Sequence, residues 1–269
     1  MTNTWRTALL LIALCGISRH VVAQTVSRST DTVKKATPYA MVKPKGPKPI
    51  KHEVSVGFRL NTNGWSIYSD IGKAKTKDMK HIDMFHSVRI YQIEFGEKKD
   101  PKEYKSTADN GSGTNTYIYG KVNNFYVLKL GYGYRKLLVG KPDPGTVSIH
   151  WVNAGGFALG LLKPYYLNVY SDPTAIKYTD NTKVDFLNQG VIEGSAGFSK
   201  GLSELKFVPG FHFKSALHFD FSANRKNVIG VETGVNLEYY TTRIQIMANE
   251  SATPYFAELF IGVQVGKRW

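Results

Sequence analysis

The stretch Tyr255-Phe-Ala-Glu-Leu-Phe-Ile-Gly-Val-Gln-Val-Gly-Lys-Arg-Trp269 decides the fold of this chain. Every second residue from Tyr255 is apolar as far as Val265, whereas the residues between them are mostly polar or small. Alternation with a period of two indicates a strand whose two faces meet different surroundings. In an outer-membrane barrel, lipid covers the apolar face and the polar face lines the lumen. The stretch therefore predicts a membrane-spanning barrel, with a soluble β-sandwich as the alternative.

The last residue adds a second signal. Trp269 is an aromatic residue on the apolar side of the strand, as in the carboxy-terminal signal that barrel-insertion machinery reads. Lys267 shares that side and departs from the pattern. We expect Trp269 to serve as the insertion signal.

The amino-terminal part divides into two segments ahead of a barrel at 52–269. Residues 1–24 have a positive start at Arg6, a short apolar core and small or neutral residues near Ala23, which predicts a signal peptide. Residues 25–51 are rich in Pro and Lys and predict a solvated periplasmic tail. The only cysteine, Cys15, lies in the predicted signal, so disulfides and cysteine-based metal sites are excluded from the rest.

The charge of the chain is strongly basic, at +14 over 269 residues. Within 25–51, seven Lys or Arg residues face one acid, Asp31. Because a secreted chain does not meet nucleic acid, we expect lipopolysaccharide, or an acidic periplasmic partner of the tail. No apolar run after residue 24 is long enough for a transmembrane helix. The sequence points to no cofactor and no metal.

Alternation recurs along the chain and predicts an antiparallel up-and-down barrel of about ten strands, with eight as the alternative count. The ten include a weak strand at Tyr117–Val122, followed by a turn at Asn123-Asn124, and a strand at Tyr165–Val169 after a corner near Leu161. A bulge is predicted near Arg89. With ten strands, the segments 98–113, 172–203 and 242–253 are predicted outside the cell, and the Asn123-Asn124 and Ala223–Asn227 turns inside. Residues Leu187–Leu202 are predicted to form a short helix or an ordered loop.

Three stretches carry a resemblance to a known group. Residues 57–65 (Gly-Phe-Arg-Leu-Asn-Thr-Asn-Gly-Trp), 162–167 (Leu-Lys-Pro-Tyr-Tyr-Leu) and 197–222 are similar to uncharacterised outer-membrane β-barrel proteins of Bacteroidota-type bacteria. The resemblance covers roughly 53–269. It implies a barrel in the outer membrane, and it implies no activity and no catalytic residue.

Charged residues share the inward side of the predicted strands. In a barrel of eight to ten strands the interior is narrow, so opposite charges should pair there as a structural network. The predicted network comprises Arg59, Glu94, Lys129, Arg135, His212, Lys214, His218, Asp220, Glu232, Glu238, Glu258 and Arg268. Further inward positions are Glu53, Asp70, His150 and Lys206.

An enzyme is the sharper alternative, because His212 or His218 with a carboxylate could activate Ser215 or Ser222. Parity turns Ser215 toward lipid, and four strand residues set Ser222 about 13 Å from His218. We therefore predict a non-enzymatic outer-membrane protein that serves as a structural or accessory component of an envelope assembly or secretion machine. A narrow solute pore and a lipid-modifying enzyme remain alternatives. Aromatic residues predicted at the membrane interfaces are Trp65, Tyr126, Tyr132, Tyr134, Trp151, Tyr165 and Tyr239.

Overall fold

A computed structural model describes residues 50–74, 87–109, 114–140, 146–224 and 226–269. The predicted signal peptide at 1–24 lies outside the described residues. So does the predicted tail, except for its last two residues, Ile50 and Lys51.

The described residues form a closed antiparallel barrel with two small sheets in its connections. Each barrel strand pairs with its neighbours along the chain, and the last strand pairs with the first. The barrel strands are β1 (His52–Asn61), β2 (Gly64–Ala74), β3 (Ser87–Lys98), β6 (Asn123–Val139), β7 (Ser148–Pro164), β11 (Lys206–Asp220), β12 (Asn227–Ile244) and β13 (Thr253–Arg268). The small sheets contain β4 (Lys105–Asp109), β5 (Thr114–Ile118), β8 (Tyr166–Val169), β9 (Asp172–Lys177) and β10 (Ile192–Ser195). The predicted all-β, up-and-down barrel is confirmed.

The barrel contains eight strands in the described residues, which is the alternative count and not the favoured ten. The predicted strands Tyr117–Val122 and Tyr165–Val169 both contain strand residues, but these pair outside the barrel. Part of Tyr117–Val122 belongs to β5, which forms a hairpin with β4, and Tyr165–Val169 contains β8, the central strand of a three-stranded sheet. Period-two alternation reports that a segment is a strand, and it cannot report which sheet the strand joins.

Three local predictions were wrong. Asn123-Asn124 is the start of β6 and not a turn, and β7 runs through the expected corner at Leu161 to Pro164. No bulge interrupts β3, since Arg89 pairs in regular register with Lys73 and Tyr134. The register shifts instead between β6 and β7 beyond Leu137.

The turn between β1 and β2 lies at Thr62-Asn63, as the Asn-Gly pair predicts. Gly64 has a φ of +153°. A Cβ atom on Gly64 would lie 1.9 Å from the carbonyl oxygen of Glu97, so the backbones of β2 and β3 approach too closely for any side chain there.

The barrel has two unlike ends. The terminal end holds the start of β1, the end of β13 and the short connection 221–226. The loop end holds the turn at 62–63 and the connections 99–122, 165–205 and 245–252. The segments predicted outside the cell all lie at the loop end, and the Ala223–Asn227 turn lies at the terminal end.

A subdomain with its own core stands at the loop end, built from the connections 99–122 and 165–205. Besides β4, β5 and β8–β10 it contains a one-turn helix, α1 (Lys183–Phe186), and two 3-10 turns, at Gln189–Val191 and Leu202–Glu204. Leu187–Leu202 is thus an ordered segment of turn and strand. The core residues of the subdomain are Ala108, Tyr117, Leu167, Val169, Ile176, Phe186 and Ile192.

A polar cluster closes the base of this subdomain. Tyr166 donates a hydrogen bond to Glu204 at 2.5 Å, and Lys177 pairs with the same carboxylate. These hydrogen bonds, from Lys177 first and then Tyr166, hold the pKa of Glu204 below its usual range. None of the helices in the described part of the chain is long and apolar enough to cross a membrane.

Candidate functional site

The barrel wall separates two kinds of side chain. On β13, Leu259, Ile261, Val263 and Val265 point outward and are more than half exposed, at 56–62%. The residues between them point inward and are buried or nearly so. Large apolar side chains that are exposed on the other barrel strands include Val56, Phe58, Ile71, Tyr91, Ile93, Leu130, Tyr132, Trp151, Phe157, Phe211, Phe213, Ile229 and Leu237. The outer surface is therefore an apolar belt, and the polar residues lie inside.

All twelve residues of the predicted network are buried inside the barrel. Glu53, Asp70 and His150 are buried there too. Lys206 is the exception among the inward positions: it is the first residue of β11, pairs with Leu162 of β7 at the loop end and is exposed.

Eight of the buried charges form one chain in which the sign alternates. Glu232 Oε1 accepts from Lys214 Nζ and from Arg59 Nη2, both at 2.9 Å, and Arg59 also pairs with Glu94. The chain continues through Lys129, whose Nζ lies 2.7 Å from Glu94 Oε1 and 3.1 Å from Glu238 Oε1.

The far end of this chain is Lys98. Its Nζ lies 3.1 Å from Glu238 Oε1 and 2.8 Å from Glu258 Oε2. Four cations thus meet four carboxylates. The members come from β1, β3, β6, β11, β12 and β13, so the chain crosses the lumen and ties opposite walls together.

A second, shorter chain lies nearer the terminal end. Arg135 donates to Glu53 at 2.6 Å, Arg268 donates to the other oxygen of Glu53 at 2.7 Å, and Arg268 also donates to Asp220 at 2.6 Å. Asp70 lies beside it, with Arg135 Nη2 at 4.0 Å and a hydrogen bond from Gln92 at 2.6 Å. Each buried charge in this chain faces an opposite one, which offsets the cost of removing it from water.

Arg59 is the centre of the lumen packing. Its guanidinium carbon lies 3.5 Å from the centroid of the Tyr68 ring, so the cation stacks on the aromatic face. Gly57 makes room for that ring, because a Cβ on Gly57 would lie 2.4 Å from the ring carbon Cζ of Tyr68. Tyr68 in turn donates to Gln264 at 3.4 Å.

Apolar clusters fill the remaining lumen. At the loop end, Phe125, Tyr240 and Phe256 pack their rings together, and Ile246 and Met247 enter from the β12–β13 connection. Tyr240 also donates to Glu238 at 2.7 Å, which joins this cluster to the charges below it. A second cluster contains Ala74, Val88, Ile90, Val152, Ala216 and Phe260, with Ile50 packed against it. Side chains therefore occupy the interior along its length.

A pair of histidines is the least satisfied part of the lumen. The rings of His150 and His218 are 5.9 Å apart, and neither ring nitrogen of His218 has a hydrogen-bond partner among the described residues. Glu232 Oε2 lies 4.0 Å from His218 Nδ1 and is likewise unpartnered. Buried polar atoms of this kind are normally satisfied by ordered water.

Among the described residues, neither candidate serine forms a hydrogen bond with a candidate histidine. Ser215 lies on the outer side of β11 and accepts a hydrogen bond from Trp151 at 3.0 Å, whereas His212 is buried inside and faces the Leu130 carbonyl at 3.4 Å. Ser222 accepts from the backbone N–H of Ile229 at 2.8 Å. His218 is hydrogen-bonded to neither serine. In the described parts of the chain, no three His, Asp or Glu side chains are grouped to hold a metal ion.

Sequence reasoning missed Lys98 because it placed that residue in a loop. Lys98 is the last residue of β3 and is buried. It lies four residues after Glu94, on the same side of the strand, so extending the alternation by one more pair would have found it. The polar partners Gln92 and Gln264 were also missed, since uncharged side chains carry no sign that predicts a partner.

The carboxy-terminal tryptophan lies at the terminal end, outside the wall. Trp269 is 61% exposed, and its ring stacks on His52 with centroids 6.1 Å apart. Its carbonyl oxygen accepts from the backbone N–H groups of Lys51 and His52, both at 2.9 Å. These bonds close the barrel seam between β1 and β13.

Comparison with solved structures finds proteins of low similarity. The chain is similar to neisserial surface protein A, with 7% identity, a TM-score of 0.40, and 82% of this chain and 96% of that chain covered. It is also similar to the N-terminal β-barrel domain of Pseudomonas aeruginosa OprF, with 11% identity, a TM-score of 0.34, and 81% and 97% covered. No protein-family model matches the chain, and no curated protein matches it. The assignment of an eight-stranded barrel therefore rests on the strand register of the chain itself.

Proposed function

We propose that this chain is a non-enzymatic protein of the bacterial outer membrane, which its barrel spans. The single observation that carries this proposal is the reversed polarity of the wall. Charges fill the inside, while large apolar side chains such as Val263 and Phe213 stand exposed on the outside. An apolar surface this extensive is not stable in water, and lipid is the surrounding that suits it.

Strand length supports the same proposal. A tilted strand crosses a bilayer in about 9–11 residues. The strands β1, β2 and β3 contain 10, 11 and 12 residues, and the other five contain 15 to 18. The longer strands therefore extend beyond the bilayer. Because β1 begins and β13 ends at the terminal end, we place that end of the barrel in the periplasm.

The filled lumen favours a structural role over transport. A solute pore needs a continuous polar path, whereas the Phe125–Tyr240–Phe256 cluster closes the lumen at the loop end. A lipid-modifying enzyme needs a nucleophile that touches its base, and Ser215 and His212 lie on opposite sides of the wall. What the barrel does present is the loop-end subdomain with its own core, which offers a surface to a partner above the membrane.

We further propose an accessory role in an envelope assembly or secretion machine. The loop-end subdomain offers a contact surface outside, and the basic segment 25–51 offers one for an acidic partner in the periplasm. Signal cleavage after residues 1–24, insertion through the Trp269 signal and membership of the Bacteroidota-type barrel group belong to the same proposal. Lipopolysaccharide is the expected lipid partner around the loop end.

Membrane fractionation tests the primary proposal. The full chain should separate with the outer membrane and migrate faster on a gel before boiling than after it, as a folded barrel does. Recovery in the soluble periplasmic fraction would contradict the proposal. Affinity purification from the same membranes tests the accessory role, because a component of a machine should retain its partners while a solitary barrel retains none. A conductance trace from planar bilayers separates either role from a pore.

A further inference from the structure

The terminal end carries outward-facing cations next to the apolar belt, on β2, β3, β6 and β13; we call these four residues the terminal-end arc. Lys73, Arg89, Lys136 and Lys267 are exposed and lie on the same strand sides as outward apolar residues. On β2, Lys73 is the next outward-facing residue after Ile71. Arg89, Lys136 and Lys267 likewise face outward on β3, β6 and β13. None of the four forms a salt bridge with a described residue.

Aromatic side chains accompany these cations at the same level. Arg89 is the register partner of Tyr134, and Lys136 is that of Trp151. Tyr and Trp prefer the headgroup level of a bilayer, and Lys and Arg extend their charged ends toward it along apolar surface. The pairing therefore marks the boundary between the apolar belt and water at this end.

The two ends of the barrel differ in the signs of their exposed charged side chains. At the terminal end no side-chain carboxylate of the described residues is exposed, because Glu53, Asp70 and Asp220 are buried. The loop end is mixed, since exposed acids pair with bases there, as in Lys102 with Glu250 and Lys177 with Glu204. Among the described residues, the exposed charged side chains at the terminal end are therefore cations, whereas those at the loop end have both signs.

We propose that this terminal-end arc binds the phosphate headgroups of anionic phospholipids in the leaflet beside it. The proposal rests on the membrane-spanning function. Its support is charge complementarity together with continuity with the apolar belt: four cations that form no salt bridge with a described residue lie on four strands of the wall where acyl chains give way to headgroups. The attraction between one cation and an anionic leaflet is strong enough to change the affinity for lipid about fivefold.

Native mass spectrometry of the purified full chain tests this with phosphatidylglycerol and phosphatidylethanolamine at equal concentrations. We expect the chain to retain phosphatidylglycerol at least about fivefold more. The quadruple variant K73Q/R89Q/K136Q/K267Q should lose that preference. A matched control with four exposed loop-end lysines changed, K105Q/K183Q/K200Q/K206Q, should keep it.

Several outcomes overturn the proposal. Equal retention of the two lipids by the unmodified chain does so, as does an unchanged preference in the quadruple variant, or stronger binding of lipopolysaccharide than of phosphatidylglycerol at the terminal-end arc. The paired variants K73Q/R89Q and K136Q/K267Q replace the quadruple one if it does not fold, and each should reduce the preference. A chain that forms no heat-modifiable barrel in any vesicle would instead contradict the membrane-spanning function.

Discussion

The inner and outer faces of the barrel wall are made by the same strands and obey opposite rules. On β12, Glu232 is fully buried and paired with two cations, while Ile229, three residues earlier, is half exposed and faces outward. In a water-soluble barrel the apolar face would be the inner one. We infer from this difference that lipid stabilises the outer face of the wall and that ion pairs stabilise the inner face.

The most disruptive change should be loss of the central cation. Arg59→Met leaves Glu94 and Glu232 each with one cation fewer in the lumen, and breaking buried pairs of this kind costs about 3–5 kcal/mol. Urea unfolding of the reconstituted barrel measures the loss. The matched control is Lys102→Met, which removes an exposed ion pair and should cost at most about 1 kcal/mol. Equal costs at the two sites would show that the lumen pairs do not hold the barrel together.

The outer face is tested by putting charge into it. Val263→Arg should cost about 2–4 kcal/mol if this position faces the middle of the bilayer. Val184→Arg is the matched control, because Val184 is 70% exposed on the loop-end subdomain, where water is expected. Yields of heat-modifiable barrel from the two variants give the comparison. Normal assembly of Val263→Arg would refute a lipid-facing outer wall.

A more conservative substitution on the inner face tests the negative charge of Glu232. Glu232→Gln keeps the size of the side chain and one acceptor oxygen for Lys214 and Arg59, but it removes the negative charge. We expect a loss of about 1–3 kcal/mol, smaller than that of Arg59→Met. Unfolding both variants in the same lipid decides the order. The reverse order would move the centre of the network from Arg59 to Glu232.

Cysteine labelling can show on which side of the membrane the loop end lies without destabilising the barrel. Asn181 is exposed on the connection 165–205. A cysteine at this position should react with a membrane-impermeant maleimide on intact cells. A cysteine in place of Ala223, exposed at the terminal end, should react only after lysis. The opposite pattern would invert the barrel in the membrane.

Much of the wall could be predicted from alternation, and its limits have a physical cause. Parity placed Arg59, Glu232 and Arg268 on the inner side because each strand residue must point to one face or the other. Which charge meets which could not be predicted, since Lys129 and Glu238 lie on opposite walls and meet only after the barrel closes.

Strand counting failed for a related reason. Tyr165–Val169 alternates as well as any barrel strand does, but β8 buries Leu167 and Val169 in the core of the loop-end subdomain. A local pattern records the presence of a buried face, and the surroundings that bury it are set by the rest of the chain. Lys98 was missed because the strand that carries it was predicted to end too early.

Oxygen and nickel-chelate collision rates of a nitroxide label on β13 show directly whether the outer wall of the barrel faces lipid or water. Cys15 is the only cysteine, so a Cys15→Ser background allows single labels at Leu259, Ile261 and Val263, with Val184 as the reference in water. In reconstituted vesicles the three β13 labels should collide often with oxygen and rarely with the chelate, and Val184 should show the reverse. Equal chelate collision at β13 and at Val184 would place the outer wall in water and contradict the membrane-spanning barrel.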